Sequence, residues 1–387
     1  MEISLRTILT GGKIVTPEHV LEQYVLILKD ERIDAIIPKQ QFSATEYDIV
    51  IDTAGKWITP GLIDIHTHGA NLFDTMDAST KAFDSMGEFY AMRGVTSYLL
   101  TTGTAPNKDI RAVIDCFLNY KANKKGASPL GIHMEGPYLN FKRKGAQPAE
   151  YLRNPDPEEY RQWFKSGIIK LMTIAPELPG AYELIQYGID IGVEFAVGHS
   201  VATCEQMISA IDHGLRQATH TFNGMNPMHH RIPGVVGVVL SDDRIYAQVI
   251  ADGVHVHPVV VKALVKAKGF RKTILITDSI RATGLENGEY DLLGQTVYFK
   301  EGVARINSGG LAGSVLTMDT AVRNIMKFCD VDFVEAIRMA SQTPAEALNI
   351  EDKIGRIYPG CRADIVVFDK HFMVETTLVG GKSVYQK

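Results

Sequence analysis

The chain has 387 residues, of which 45% are hydrophobic and 22% charged. That is enough for one large domain with a substantial core and a second, smaller domain. Its formal net charge is −5, which excludes an extended basic surface for nucleic acid but leaves room for a local pocket that binds one phosphate. No stretch approaches the roughly 18 apolar residues that are needed to span a bilayer.

Cysteine usage and the first residues both predict a cytoplasmic protein. The four cysteines are scattered and lack the CxxC spacing of a zinc site, so we expect reduced thiols. The N-terminal residues lack the basic-then-apolar layout of a secretion signal.

Both ends of the chain are rich in β-forming residues. Short apolar runs are separated by glycines and polar turns, and they lie at 7–10, 24–28, 33–37, 364–368 and 376–379. We therefore predict a small β-sandwich domain formed by both termini, residues 1–58 and 359–387.

The central segment, residues 59–358, alternates apolar runs with helical stretches. The predicted strands lie at 62–66, 95–101, 130–134, 169–175, 193–198, 216–220, 245–251 and 273–277. The predicted helices lie at 79–93, 107–121, 181–190, 203–213, 258–268 and 315–328, and Ser79, Asn107 and Thr203 are candidate N-caps. This alternation favours an α/β protein with a TIM-like (β/α)8 barrel over an open doubly wound sheet, because no glycine-rich dinucleotide turn follows the first strand.

The first predicted barrel strand ends in two histidines, His66 and His68. Alternate side chains of a strand point to the same face, so the two imidazoles point the same way. Such a pair can begin a metal site. Taken alone, it is equally compatible with two histidines that are hydrogen-bonded at the mouth of the barrel.

Polar residues also follow four later strands, namely Glu135, His199, His220 and Asp278. Each alone has a plain structural explanation: a hydrogen-bonded core histidine, a loop carboxylate, or a cap for the next segment. The active site of a (β/α)8 barrel is built at the carboxyl ends of its strands. The occurrence of all these residues on one rim therefore favours a divalent-metal site with nitrogen and oxygen ligands.

The predicted ligands exceed the four of a tetrahedral zinc and can serve two metals that share Glu135. Zinc and iron both suit such a set. A bound metal lowers the pKa of water towards ~7, and Asp278 can take the released proton and pass it to a leaving group. This chemistry hydrolyses amides and esters.

Two motifs carry a resemblance to a known family. Residues 60–69, Pro-Gly-Leu-Ile-Asp-Ile-His-Thr-His-Gly, resemble the first-strand motif of the amidohydrolase superfamily. Residues 133–137, His-Met-Glu-Gly-Pro, are similar to the hallmark of its N-acetylglucosamine-6-phosphate deacetylase family. Further matches, which extend the resemblance over essentially the whole chain, lie at 144–147, 198–200, 218–225, 251–255, 277–278 and 311–314.

The resemblance implies metal-dependent hydrolysis of N-acetyl-D-glucosamine 6-phosphate to D-glucosamine 6-phosphate and acetate, in amino-sugar catabolism and cell-wall sugar recycling. It implies that Glu135, His199 and His220 hold the main metal and that Asp278 is the catalytic acid and base. His66 and His68 would hold a second metal. Some members lack these two histidines and use one metal, so their presence here favours two per subunit.

The resemblance also implies a set of substrate contacts: Ala146, Gln147, Asn223, Gly224, Arg231, His255, Leu311, Ala312 and Gly313. Gln147 stands where some members have a histidine. Arg231 and His255 suit a phosphate, Arg231 through its forked guanidinium. In the family, phosphate contacts come partly from the neighbouring subunit, which implies a homodimer with a shared active site.

Two alternative functions are open: another amidohydrolase, such as a cyclic amidase or aminohydrolase, and a non-catalytic barrel that binds a sugar phosphate. The Glu135 motif and Arg231 argue against the first. The second predicts loss of Asp278 or of several ligands, and all are present. We expect neither nucleic acid nor membrane as a partner.

Overall fold

The computed structural model describes residues 6–46, 48–122 and 125–387. Residues 1–5 and 47, which belong to the predicted terminal domain, therefore lie outside the described residues. The strands are β1 (Arg6–Thr10), β2 (Lys13–Val15), β3 (Val20–Leu21), β4 (Tyr24–Lys29), β5 (Arg32–Pro38), β6 (Ile49–Asp52), β7 (Trp57–Pro60), β8 (Leu62–Thr67), β9 (Gly69–Ala70), β10 (Phe73–Asp74), β11 (Val95–Thr102), β12 (Ser128–Glu135), β13 (Ile169–Ile174), β14 (Glu194–Val197), β15 (Gln217–Ala218), β16 (Tyr246–Ile250), β17 (Thr273–Ile276), β18 (Gly288–Leu292), β19 (Gln295–Lys300), β20 (Val303–Ile306), β21 (Ile365–Phe368), β22 (Val374–Val379) and β23 (Lys382–Gln386). The α-helices are α1 (Thr80–Ala91), α2 (Asn107–Leu118), α3 (Pro157–Phe164), α4 (Ala181–Asp190), α5 (Cys204–Asp212), α6 (Gly234–Ser241), α7 (Pro258–Lys268), α8 (Met318–Cys329), α9 (Phe333–Met339) and α10 (Gln342–Ala347).

The centre of the molecule is an eight-stranded parallel sheet in the order β17-β16-β15-β14-β13-β12-β11-β8. Helices follow its strands and bury apolar faces against it, and the predicted (β/α)8 barrel is confirmed. The eight predicted strands are all present. The strand predicted over 216–220 is reduced to Gln217–Ala218, since the chain turns sharply before His220.

The helix starts show where local sequence rules succeed and where they fail. Ser79 and Thr203 cap α1 and α5 as predicted, each through its side-chain oxygen. Asn107 does not cap α2, because Pro106 holds that position and the Asn107 amide oxygen accepts a hydrogen bond from Trp163 Nε1 (2.9 Å). Four short helices of the central segment, α3, α6, α9 and α10, were not predicted.

The first and last barrel strands, β8 and β17, are joined just beyond their ends. The Asp278 N–H donates to the His66 carbonyl (2.9 Å), and the His68 N–H donates to the Ser279 carbonyl (2.9 Å). The Thr277 hydroxyl donates to the buried carboxylate of Asp64 (2.5 Å). We call this junction the barrel seam.

The two ends of the chain form two further sheets, β5-β4-β1-β6 and β23-β22-β21-β7-β2-β3. They share an apolar core, to which Leu9 and Leu26 contribute from the first sheet and Ile58 and Ile365 from the second. Burying each such side chain stabilises the fold by about 1.5–3 kcal/mol. The predicted sandwich of both termini is confirmed as part of the fold.

A glycine lies where the terminal sheets lead into the barrel. Strand β7 pairs with β21 through Pro60, and β8 begins at Leu62. A Cβ on the intervening Gly61 would lie 2.0 Å from Thr96 Oγ1, so only glycine fits. The division into residues 1–58 with 359–387 and residues 59–358 stays our proposal, with its first boundary inside β7.

After β17 the chain forms an antiparallel sheet, β18-β19-β20, which was not predicted. Leu292 and Val297 anchor it in a small apolar cluster with Ile280 and Ala312. No helix in the described part of the chain is long and apolar enough to cross a membrane. All four cysteines are free.

Candidate metal centre and active site

The six predicted ligands lie at the carboxyl ends of barrel strands. His66 is in β8 with His68 just beyond it, and Glu135 ends β12. His199, His220 and Asp278 follow their strands with φ angles of 48°, 30° and 50°. A left-handed backbone is uncommon for residues other than glycine and often marks a functional site. All six residues are buried.

One half of the cluster consists of Glu135, His199 and His220. Glu135 Oε1 lies 3.1 Å from His199 Nε2 and 3.0 Å from His220 Nε2. The two Nε2 atoms are 3.2 Å apart. These three atoms can therefore bind one ion together.

The other half consists of His66, His68 and Asp278. Asp278 Oδ1 lies 3.3 Å from Nε2 of each histidine, and the two Nε2 atoms are 3.3 Å apart. Glu135 Oε2 lies 3.2 Å from His68 Nε2. Glu135 therefore contacts both halves: Oε2 lies near His68, and Oε1, which contacts His199 and His220, also lies 3.7 Å from His66 Nε2. His66, His68 and Glu135 can likewise bind one ion together.

Backbone carbonyls orient the histidines of the first half. His199 Nδ1 donates to the Arg143 carbonyl (2.7 Å), and His220 Nδ1 donates to the Asn223 carbonyl (3.1 Å). When these rings are neutral, Nε2 carries the lone pair, because the proton is on Nδ1. Two lone pairs and a carboxylate oxygen within 3.2 Å repel one another unless a cation lies between them. The donor set therefore fits a divalent metal.

Electrostatics agree with this fit. Burial raises the pKa of Glu135, but the neighbouring His66, His199 and His220 outweigh it and leave the pKa well below its usual value. Burial likewise raises the pKa of Asp278, and His66 and His68 reverse the shift. Both carboxylates are thus ionised at neutral pH, and a cation complements them.

His133 and Asp64 both contact His66: the His133 ring centroid lies 4.7 Å from that of His66, and the Asp64 carboxylate accepts from the His66 N–H (3.2 Å). His133 Nδ1 donates to the Ile65 carbonyl (3.0 Å), and its Nε2 accepts from the Thr173 hydroxyl (2.7 Å). Both nitrogens are therefore occupied, and burial holds the pKa of His133 well below its usual value. Burial raises the pKa of Asp64 to about 6.

The cluster opens into a cavity of about 180 Å³. Its walls include most of the residues predicted to touch substrate: Ala146, Gln147, Asn223, Gly224, His255, Leu311 and Gly313. Gly224 lies so close to the cluster that a Cβ would sit 2.9 Å from His199 Nδ1. The cavity therefore gives a small polar molecule direct access to the ligands.

Two predicted substrate residues are not part of that wall. Ala312 is fully buried in the apolar cluster under β18-β19-β20. Arg231 is exposed, and its Nη1 donates to His230 Nε2 (2.8 Å).

Sequence reasoning missed three cavity residues, Gly145, Leu292 and Leu293. Gly145 belongs to the motif at 144–147 and could have been identified as a site residue from it. The two leucines come from the sheet after β17, and their sequence carries no sign of the cavity.

His255 is held ready for a ligand. The Asp252 carboxylate accepts hydrogen bonds from His255 Nδ1 (2.7 Å) and from the His255 N–H (2.8 Å). With Nδ1 occupied, Nε2 is the nitrogen left for the cavity. An imidazole in this place can bind an anionic or carbonyl oxygen.

Comparison with known proteins agrees with this geometry. Residues 57–384 match the amidohydrolase family. The chain is 40% identical to the N-acetylglucosamine-6-phosphate deacetylase of Lysinibacillus sphaericus, over 93% of each chain. It is 36% identical to the N-acetylgalactosamine-6-phosphate deacetylase of Escherichia coli O157:H7, over 97% of this chain and 98% of that one.

A solved structure gives the same result. The N-acetylglucosamine-6-phosphate deacetylase of Pasteurella multocida superposes with a TM-score of 0.92 at 31% identity, covering 99% of this chain and 100% of that one. The extent and level of these matches leave one conclusion: the chain belongs to the amidohydrolase family and, within it, to the N-acetylglucosamine-6-phosphate deacetylases.

Proposed function

We propose that this protein hydrolyses N-acetyl-D-glucosamine 6-phosphate to D-glucosamine 6-phosphate and acetate, in amino-sugar catabolism and cell-wall sugar recycling. The observation that carries the proposal is the buried cluster around Glu135, which opens into a cavity beside the Asp278 carboxylate. Relatives named for this reaction match nearly the whole chain.

The cofactor is a divalent metal, and we propose two ions per chain, zinc or iron. Glu135, His199 and His220 would hold the first, and His66, His68 and Asp278 the second, with Glu135 shared. When bound, these ions would supply a polarised acetamide carbonyl and a water molecule whose pKa is lowered towards ~7. Elemental analysis of protein purified without chelators tests both identity and number.

Asp278 would move the proton. Its carboxylate takes a proton from the water molecule whose oxygen bonds to the acetamide carbon. As the C–N bond breaks, Asp278 returns that proton to the departing amine nitrogen, so the products are the free amino sugar and acetate.

Asn223, Gly224, His255 and the loop of Leu311, Ala312 and Gly313 would position the sugar phosphate, together with Ala146 and Gln147. A phosphate also needs a strong cation, and the cavity wall includes neither lysine nor arginine among the described residues. We propose that Arg231 supplies it across a homodimer interface. Exposed Met228 and Ile232 beside it, with 56% and 72% of their surface accessible, support burial against a partner.

Mixing two inactive variants tests this shared site. Arg231→Ala lacks the cation and Asp278→Asn lacks the base, so hybrid dimers contain one intact composite site if Arg231 acts on the partner subunit. Dissociating and mixing the two should restore activity. No restoration, or a monomer in light scattering, would contradict the proposal.

Acetate release from the metal-loaded protein tests the reaction itself. We expect turnover of N-acetylglucosamine 6-phosphate and none of a dihydropyrimidine or purine. Turnover of those instead would favour a cyclic amidase or aminohydrolase. Tight binding of the sugar phosphate without turnover would favour a non-catalytic barrel.

N-acetylgalactosamine 6-phosphate is a second candidate substrate, because a relative named for it is 36% identical to this chain. The two sugars differ in one hydroxyl configuration, so the ratio of their kcat/KM values decides between them. We also propose a cytoplasmic location, which the four free cysteines support.

A further inference from the structure

Gln147 is part of the cavity wall and contacts the carboxylate of Glu135. Its Nε2 donates to Glu135 Oε2 (2.7 Å), and its Oε1 accepts from the Thr104 N–H (2.8 Å). The residue is only 5% exposed. Because one end of the amide donates and the other accepts, it cannot flip without losing both bonds.

The bond from Gln147 falls on one particular oxygen of Glu135. Oε1 lies 3.1 Å from His199 Nε2, 3.0 Å from His220 Nε2 and 3.7 Å from His66 Nε2. Oε2 lies 3.2 Å from His68 Nε2. A carboxylate oxygen has two lone pairs, so Oε2 can accept from Gln147 and still face His68. Gln147 therefore sets the rotation of the Glu135 carboxylate.

We propose that Gln147 is a positioning residue that directs Oε1 of Glu135 to His199 and His220 and Oε2 to His68, and thereby enables a second metal to bind at His66 and His68. The inference rests on the proposed metal centre and not on the identity of the substrate. This role is additional to the substrate contact proposed above, and substrate contact without any effect on metal binding is the alternative.

Gln147→Met removes the amide while keeping the length of the side chain. Gln295→Met is the matched control, because Gln295 Nε2 donates to the carbonyl of the adjacent Ala146 (2.6 Å) without touching Glu135. Metal binding is followed by titration of the metal-free proteins with Mn²⁺ and by electron paramagnetic resonance.

We expect the wild type and Gln295→Met to bind two ions with the coupled spectrum of a bridged pair. Gln147→Met should bind the second ion roughly 10–100-fold more weakly, as is usual when a group that orients a ligand is lost. Its spectrum should be that of an isolated ion, and its first affinity should be unchanged. If Gln147→Met fails to fold, Gln147→Asn has the same expectation, because its shorter amide cannot reach Thr104 and Glu135 together.

Unchanged affinity for both ions with a raised KM would overturn the inference in favour of direct substrate contact. A wild-type chain that binds a single ion would also overturn it. A chain that binds two ions but does not release acetate would contradict the proposed substrate alone, and the metal affinities would still decide the role of Gln147.

Discussion

The two halves of the metal centre are built differently. His199 and His220 each have Nδ1 fixed by a backbone carbonyl, whereas His66 Nδ1 is buried without a hydrogen-bond partner among the described residues. Fixing the outer nitrogen sets the tautomer and ring orientation before metal binds. The first half is therefore preorganised, and the second depends more on Glu135 and Asp278. We therefore expect the first half to bind its metal ion more tightly, and the second half to be filled after it.

The largest expected effect is at Asp278, to which we assign both a ligand role in the second half and the proton transfer. Asp278→Asn should lower kcat roughly a hundredfold to ten-thousandfold, because an amide cannot take the proton. Ions in the first half should be retained. Acetate release and elemental analysis measure both quantities, and surviving turnover would show that another group is the base.

Removing one histidine from each half tests the comparison directly. His220→Ala should abolish metal binding in the first half and with it most activity. His66→Ala should lose one ion but keep at least about tenfold more activity than His220→Ala, equivalent to ~1.4 kcal/mol in barrier height. Titration with metal and kinetic assays of both variants check this, and equal losses would mean that the halves are interdependent.

Removal of metal by a chelator should lower the free energy of unfolding. We expect this effect to be smaller than the losses of activity described above. Metal that binds only the folded chain adds about 2.7 kcal/mol at a concentration of 100 times its Kd. Urea unfolding with and without a chelator measures the difference. In the Asp278→Asn and His66→Ala variants, the chelator should change the free energy of unfolding by less than in the wild type. A change equal to that of the wild type would place the stabilising ion in the first half alone.

The smallest effect is expected far from both halves, in the terminal sheets. Arg6 donates to Asp48 (2.9 and 2.7 Å), and this hydrogen bond holds the pKa of Asp48 at about 2. Its stabilisation is present above the unfolded pKa of ~3.9 and is lost as pH falls through the folded value. Arg6→Ala should therefore destabilise the protein slightly at pH 7, hardly at all near pH 2, and leave metal content unchanged.

Much of this architecture could be predicted because the information is local. Strand periodicity placed His66 and His68 on one face, and the rule that barrel sites lie at strand ends brought Glu135 to them. The bond between Gln147 and Glu135 could not be predicted, because the side chains meet only after β12 and the following loop have folded. The contribution of Leu293 to the cavity likewise depends on tertiary packing, namely that of the β18-β19-β20 sheet, which follows β17 in the sequence.

The barrel seam gives the metal centre a mechanical role. Asp278 and His66 are joined by a backbone hydrogen bond between the last and first barrel strands, and the same two side chains face each other across the second half of the centre. An ion bound there would fasten the two ends of a sheet that is otherwise held at this point by a few hydrogen bonds. Loss of that ion should thus speed amide hydrogen exchange first at residues 66–69 and 277–279. The exchange rate at the barrel seam would then show whether the second metal is bound.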